Sequence, residues 1–90
     1  MYLHLGQDSI VAFDEIIGIF DLDTSTVSKA TRDYLKRAER EGRVVTVSAE
    51  LPKSFIVCKS GGGGTVVYVS QISTATLLKR AGFIGSLSNI

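Results

Sequence analysis

"SFIVCKSGGGGTVVYVSQ", residues 54–71, decides what kind of fold this chain can have. Its four consecutive glycines, Gly61 to Gly64, lie between two runs rich in β-branched residues. A phosphate cradle requires a strand, a glycine-rich turn and then a helix whose N–H groups face the anion. Here the glycines join strand to strand, no Gly-Lys-Ser/Thr follows, and the next helical pattern opens only near Ser73. The stretch predicts a β-hairpin with a conformationally permissive tip, costly in entropy to order.

Upstream, "YLHL" (2–5) and "SIVAF" (9–13) flank the turn signal "GQD" and read as another hairpin. "DEIIGIFDLD" (14–23) reads as a third strand, nearly continuous in apolar residues, as expected for a strand covered on both faces. The period then changes. In "TSTVSKATRDYLKRAEREG" (24–42), Val27, Ala30, Tyr34, Ala38 and Glu41 recur at spacings of three and four, with Leu35 beside Tyr34 widening the apolar stripe. Thr24 or Ser25 is the expected N-cap, Asp21 and Asp23 suit the positive end of the dipole, and Gly42 suits the left-handed stop. "VVTVS" (44–48) precedes the opening hairpin as a strand, and Pro52 falls in the connection between them. "STATLLKRAGF" (73–83) closes the pattern as a short helix capped by Ser73, with Leu77 and Leu78 inward and Gly82 as its stop. The order β-β-β-α-β-β-β-α predicts an α+β fold, a mainly antiparallel sheet with one long and one short helix. Residues 1–83 form a single domain, and 84–90, within "IGSLSNI", a C-terminal tail without pattern.

Ninety residues with 44% apolar content and a single proline describe a folded domain. "IIGIF", the longest uncharged apolar run, is too short to span a bilayer, and no basic-then-apolar leader opens the sequence. One cysteine, Cys58, excludes an internal disulfide and is expected on a buried strand position, which fits a cytoplasmic protein. Net charge is only +1, yet residues 1–28 hold five acids and no Lys or Arg, while all ten Lys and Arg follow. Such asymmetry suits head-to-tail association of copies, a basic surface for a polyanion, or two blocks that cancel on folding.

Catalytic chemistry finds little support. His4 is the single histidine and has no cysteine near it in sequence, so no catalytic residues, metal or cofactor are assigned. The "DLD" acids at 21–23 are explained by the start of the helix without a magnesium ion. The long helix offers more. Lys29, Arg32, Lys36, Arg40 and Arg43 are separated by three or four residues and form one cationic stripe. A stripe of this kind can track phosphates; it can equally be a solvated face paired with Asp33 and Glu39. Lys53, Lys59, Lys79 and Arg80 add basic charge, with no acid after Glu50.

"MYLHLG" (1–6), "IIGIFDLDTSTVSKATRDYL" (16–35), "LPKSFIV" (51–57) and "VVYVSQISTATLLKR" (66–80) resemble the small bacterial extracellular matrix regulators, the RemA/RemB family. The similarity is greatest to the RemB type and runs from Met1 to about Arg80, leaving out the glycine tip and the tail. The resemblance implies a cytoplasmic, non-enzymatic regulator of biofilm matrix genes with a LytTR-like DNA-binding fold, forming a homo-oligomeric ring. Where RemA-type proteins carry paired DNA-contacting arginines, this chain has Glu50 and Leu51, with Lys53 as the nearest cation; a further arginine position falls near Glu15. The expected partners are therefore further copies of the chain and duplex DNA, with no membrane and no small-molecule substrate. Lys53, Lys29, Arg32, Lys36, Arg40 and Arg43 are the DNA-contact candidates. A partner-binding oligomer that does not touch DNA is the competing reading.

Overall fold

The computed structural model describes residues 1–25 and 28–88, by backbone alone at Ser25 and 82–88. Strands β1 (Tyr2–Gly6) and β2 (Ser9–Ala12) form an antiparallel hairpin, and a single 3₁₀ turn (Phe13–Glu15) leads into β3 (Ile16–Asp21). Two helices, α1 (Leu22–Ser25) and α2 (Lys29–Arg40), precede β4 (Val44–Thr46), β5 (Ser54–Lys59), β6 (Thr65–Ser70) and α3 (Thr74–Ser88). The fold is α+β. A four-stranded sheet runs in the order β3-β5-β6-β4, with β5 antiparallel to both neighbours and β4 parallel to β6.

Strand β5 shows why the core divides in two. Along "SFIVCK" the side chains alternate, and Ser54 through Cys58 are all buried, so both faces of this strand are covered. Phe55 and Val57 join Val67 and Ala38 beneath α2, with Tyr34 and Leu35 packed alongside. Ile56 and Cys58 face the other way, into a cluster with Leu3, Leu5 and Val11 of the hairpin and Leu77 of α3. The sheet is thus a middle layer, with α2 on one side and the hairpin and α3 on the other. Two buried serines tie that second side down. The Ser70 hydroxyl donates to the Leu5 carbonyl at 2.7 Å and accepts from Ile72 N at 3.0 Å, while Ser54 donates to the Ile72 carbonyl at 2.7 Å.

Local signals account for several boundaries. Gly42 takes φ 72° after α2; its N–H reaches the Glu39 carbonyl at 3.1 Å and Arg43 N reaches Ala38 at 2.8 Å. Those two bonds make a Schellman stop. Ser73 caps α3 through its Oγ, which accepts from Thr76 N at 3.2 Å. Cys58 is buried on β5, and the glycine tip turns β5 into β6 with Lys59 opposite Thr65.

Elsewhere the structure differs from the sequence reading. The helix expected from Thr24 or Ser25 begins instead at Lys29, after Ser28, because Asp21 closes a separate turn. Its Oδ1 accepts from Asp23 N at 2.8 Å and Thr24 N at 3.1 Å. Val27 lies outside the described residues, and Ala30 is exposed rather than part of the buried stripe. Strand β3 is an edge, not a strand covered on both faces. A bulge between Ile16 and Gly18 turns Ile17 outward, leaving it 57% exposed. Leu78 is 52% exposed while Leu77 is fully buried. Helix α3 also continues past Gly82 to Ser88, through most of the expected tail; Asn89 and Ile90 lie outside the described residues. No proline follows Gly82, and an interior glycine costs a helix only about 1 kcal/mol.

Candidate nucleic-acid interface

Helix α2 sets out most of the cationic candidates. Ala38, Tyr34 and Leu35 bind it to the sheet, so the opposite side projects to solvent. Lys29, Arg32, Lys36 and Arg40 are all exposed there. Lys29 pairs with Asp33 one turn on, Nζ to Oδ2 at 2.8 Å. An exposed pair of this spacing contributes about 0.3–0.5 kcal/mol and yields readily to a competing anion.

Arg43 leaves the stripe and turns inward. Its NH1 donates to the Thr65 hydroxyl at 2.7 Å and to the Thr65 carbonyl at 3.1 Å. Its Nε donates to Glu41 Oε1 at 2.7 Å, and the guanidinium lies 5.8 Å from the centre of the Tyr34 ring. The Tyr34 hydroxyl shares a 2.9 Å hydrogen bond with the same Thr65 hydroxyl. Glu41, then Tyr34, by hydrogen bonding raise the pKa of Arg43 above its already high ordinary value, so it is cationic at every working pH.

Lys53 stands apart from this group. It is exposed in the β4–β5 connection, where its N donates to the Ser70 carbonyl at 2.9 Å and its carbonyl accepts from Leu22 N at 3.1 Å. Ser70 ends β6 and Thr65 begins it, so Lys53 and Arg43 occupy opposite ends of that strand, about 17 Å apart along it. Glu50 and Leu51 precede Lys53, and Leu51 is 81% exposed. Lys59 flanks the glycine tip and is not among the DNA-contact candidates that the sequence supplies. The ladder places it opposite Thr65, beside Arg43; period-two alternation from Phe55 is the signal that could have marked it.

An apolar groove borders the same side of the molecule. Phe20, Ala30, Thr31, Tyr34, Phe55 and Val57 line an open cavity of about 220 Å³ between α2 and β3. His4, on the far side, is exposed, with Nε2 2.8 Å from the Gln7 carbonyl. No helix among the described residues is long and apolar enough to cross a membrane.

A family model described as "Extracellular matrix regulatory protein A-like" matches residues 2–81, from β1 into α3. The chain belongs to the RemA-like family. This RemA-like chain is also 36% identical over 84 residues to extracellular matrix regulatory protein B of Bacillus subtilis (strain 168), covering 93% of this chain and 94% of that protein. It is therefore an extracellular matrix regulatory protein of a non-enzymatic family. The RemA-like match ends at Ala81 and takes in the whole four-stranded sheet, α2 and the glycine tip.

Proposed function

We propose that this RemA-like protein acts in the cytoplasm as a homo-oligomer and regulates biofilm matrix genes by binding duplex DNA through its backbone phosphates. The observation that carries this reading is the outer side of α2, where Lys29, Arg32, Lys36 and Arg40 stand exposed on a rigid element. Cations held in a row on a helix can follow a phosphate backbone, and each contact releases condensed counterions. Lys53, apart from the helix in the β4–β5 connection, is a further candidate contact. Contacts of this kind position a duplex without reading its bases. In this reading the domain has a LytTR-like fold and its copies close into a ring, which is consistent with the edge strand β3, whose Ile17 and Phe20 are 57% and 39% exposed.

One observation favours a second reading, regulation through protein contacts alone. The β4–β5 connection presents Glu50 and an 81% exposed Leu51, a pairing that suits a protein partner better than a phosphate. Anisotropy of a labelled mixed-sequence duplex at two salt concentrations separates the two. Four phosphate contacts predict roughly a 100-fold loss of affinity between about 50 and 200 mM salt. Absence of binding at low salt removes the DNA reading and leaves the protein-contact one. Light scattering behind size exclusion tests the oligomer separately.

A further inference from the structure

Lys59 and Arg43 converge at one end of the sheet although they come from different elements. Lys59 stands directly opposite Thr65 in the β5–β6 ladder. Side chains alternate along β5, and Phe55 and Val57 pack beneath α2, so Lys59 leaves the sheet on the α2 side. Thr65 leaves on that side too, since its hydroxyl holds Arg43 NH1 at 2.7 Å and meets Tyr34 at 2.9 Å. Opposed residues in such a ladder have Cβ atoms about 4.5–5.5 Å apart. The two cations therefore share one rim.

The charge on this rim is incompletely answered. Among the described residues, Arg43 has Glu41 as its ion-pair partner, and the Glu41 side chain is 53% exposed. Lys59 is exposed and makes no ion pair among the described residues. Access is open as well. A Cβ built on any of Gly61 to Gly64 meets nothing within 4 Å.

We propose that this rim is a phosphodiester contact, in which a DNA backbone phosphate displaces Glu41 from Arg43 and is held jointly by Lys59. Thr65 is a positioning residue. Its hydroxyl and carbonyl fix the guanidinium before the anion arrives, so little side-chain entropy remains to be lost on binding. A fixed guanidinium fork suits phosphate geometry, and Lys59 adds a point charge beside it. The proposal rests on the DNA-binding reading above but moves its centre from the middle of α2 to the start of β6. Glu41 then acts as a resident competitor that sets how strong a polyanion must be to enter.

The test is duplex anisotropy at low and moderate salt on the full chain and three variants, with thermal melts alongside. Lys59→Gln is expected to weaken binding and to lower the slope of log affinity against log salt by about 0.9. Glu41→Gln is expected to tighten binding several-fold by removing the competitor. Thr65→Val keeps every charge, so weaker binding well below its melting temperature identifies positioning; a purely structural Thr65 would lower the melt alone. Should a Glu41 or Thr65 variant fail to fold, the exposed Lys59 variant still decides. Wild-type binding that Lys59→Gln leaves unchanged in affinity and slope overturns the rim alone. No wild-type binding at low salt overturns the DNA reading and the rim together.

Discussion

Phe20 lies across Phe55 with ring centroids 5.0 Å apart and ring planes 20° from parallel, and its outer edge covers Gly18. A Cβ at Gly18 would come within 2.6 Å of two atoms of the Phe20 ring. The edge strand thus gives up a side chain at one position so that an aromatic ring can cover its backbone.

Gly18→Ala should therefore destabilise the fold by about 1 kcal/mol, the low end of overpacking costs, because the ring can tilt into the neighbouring groove. In a Phe20→Ala background the sign should reverse, since alanine is preferred to glycine in a strand by about 0.5–1 kcal/mol. Urea denaturation of the two single variants and the double variant measures this coupling. Additive effects would refute it.

Ser70→Ala should cost about 1–3 kcal/mol, because the buried Leu5 carbonyl loses its 2.7 Å donor and gains no water. The loss should appear as a lower denaturation midpoint with an unchanged m-value.

Tyr34→Phe keeps the ring beside Arg43 and removes only the hydroxyl bonded to Thr65. A loss of about 0.5–1.5 kcal/mol is expected in thermal unfolding. No loss would mean that the Thr65 hydroxyl is satisfied by Arg43 alone.

Burial, and secondarily the Glu15 carboxylate, push the Cys58 thiol up to about 11. The unfolded thiol ionises first as pH rises, so the native state holds more protons between roughly pH 9 and 11. Stability contributed by this group is complete below pH 9 and is lost as pH climbs through that window. Melting temperature should fall there, and Cys58→Ser or Cys58→Ala should flatten that part of the profile. A thiol reagent at pH 8 should react only as fast as the chain opens.

Much of this architecture is legible in local chemistry. Runs rich in β-branched residues mark β5 and β6, the glycine tip marks their hairpin, and Gly42 and Ser73 mark helix boundaries because each acts on its own neighbours. What local chemistry does not carry is pairing at a distance. Nothing near Val44 says that β4 will lie parallel to β6, and nothing in "IIGIF" says that β3 will be an edge. Asp21 could serve a dipole or close a turn of its own, and only the packed chain chooses. The candidate site shows the same limit. Spacing puts Arg43 on the helix stripe, but the helix ends before it, and the Schellman stop swings it towards Thr65. Lys59 enters the rim through a register set by a loop, which no charge count reports.

The Leu5–Ser70 bond joins positions 65 residues apart, and that separation has a temporal meaning. A two-stranded hairpin is at best marginal by itself in water, so β1 and β2 have no seat until β6 has been made. At ordinary synthesis speeds this leaves Leu3, Leu5 and Val11 uncovered for roughly 3–13 seconds on every nascent chain. Leu77 of α3, made after Ser70, completes the cover of this cluster, so a chaperone would have its longest opportunity before β6 and α3 have emerged.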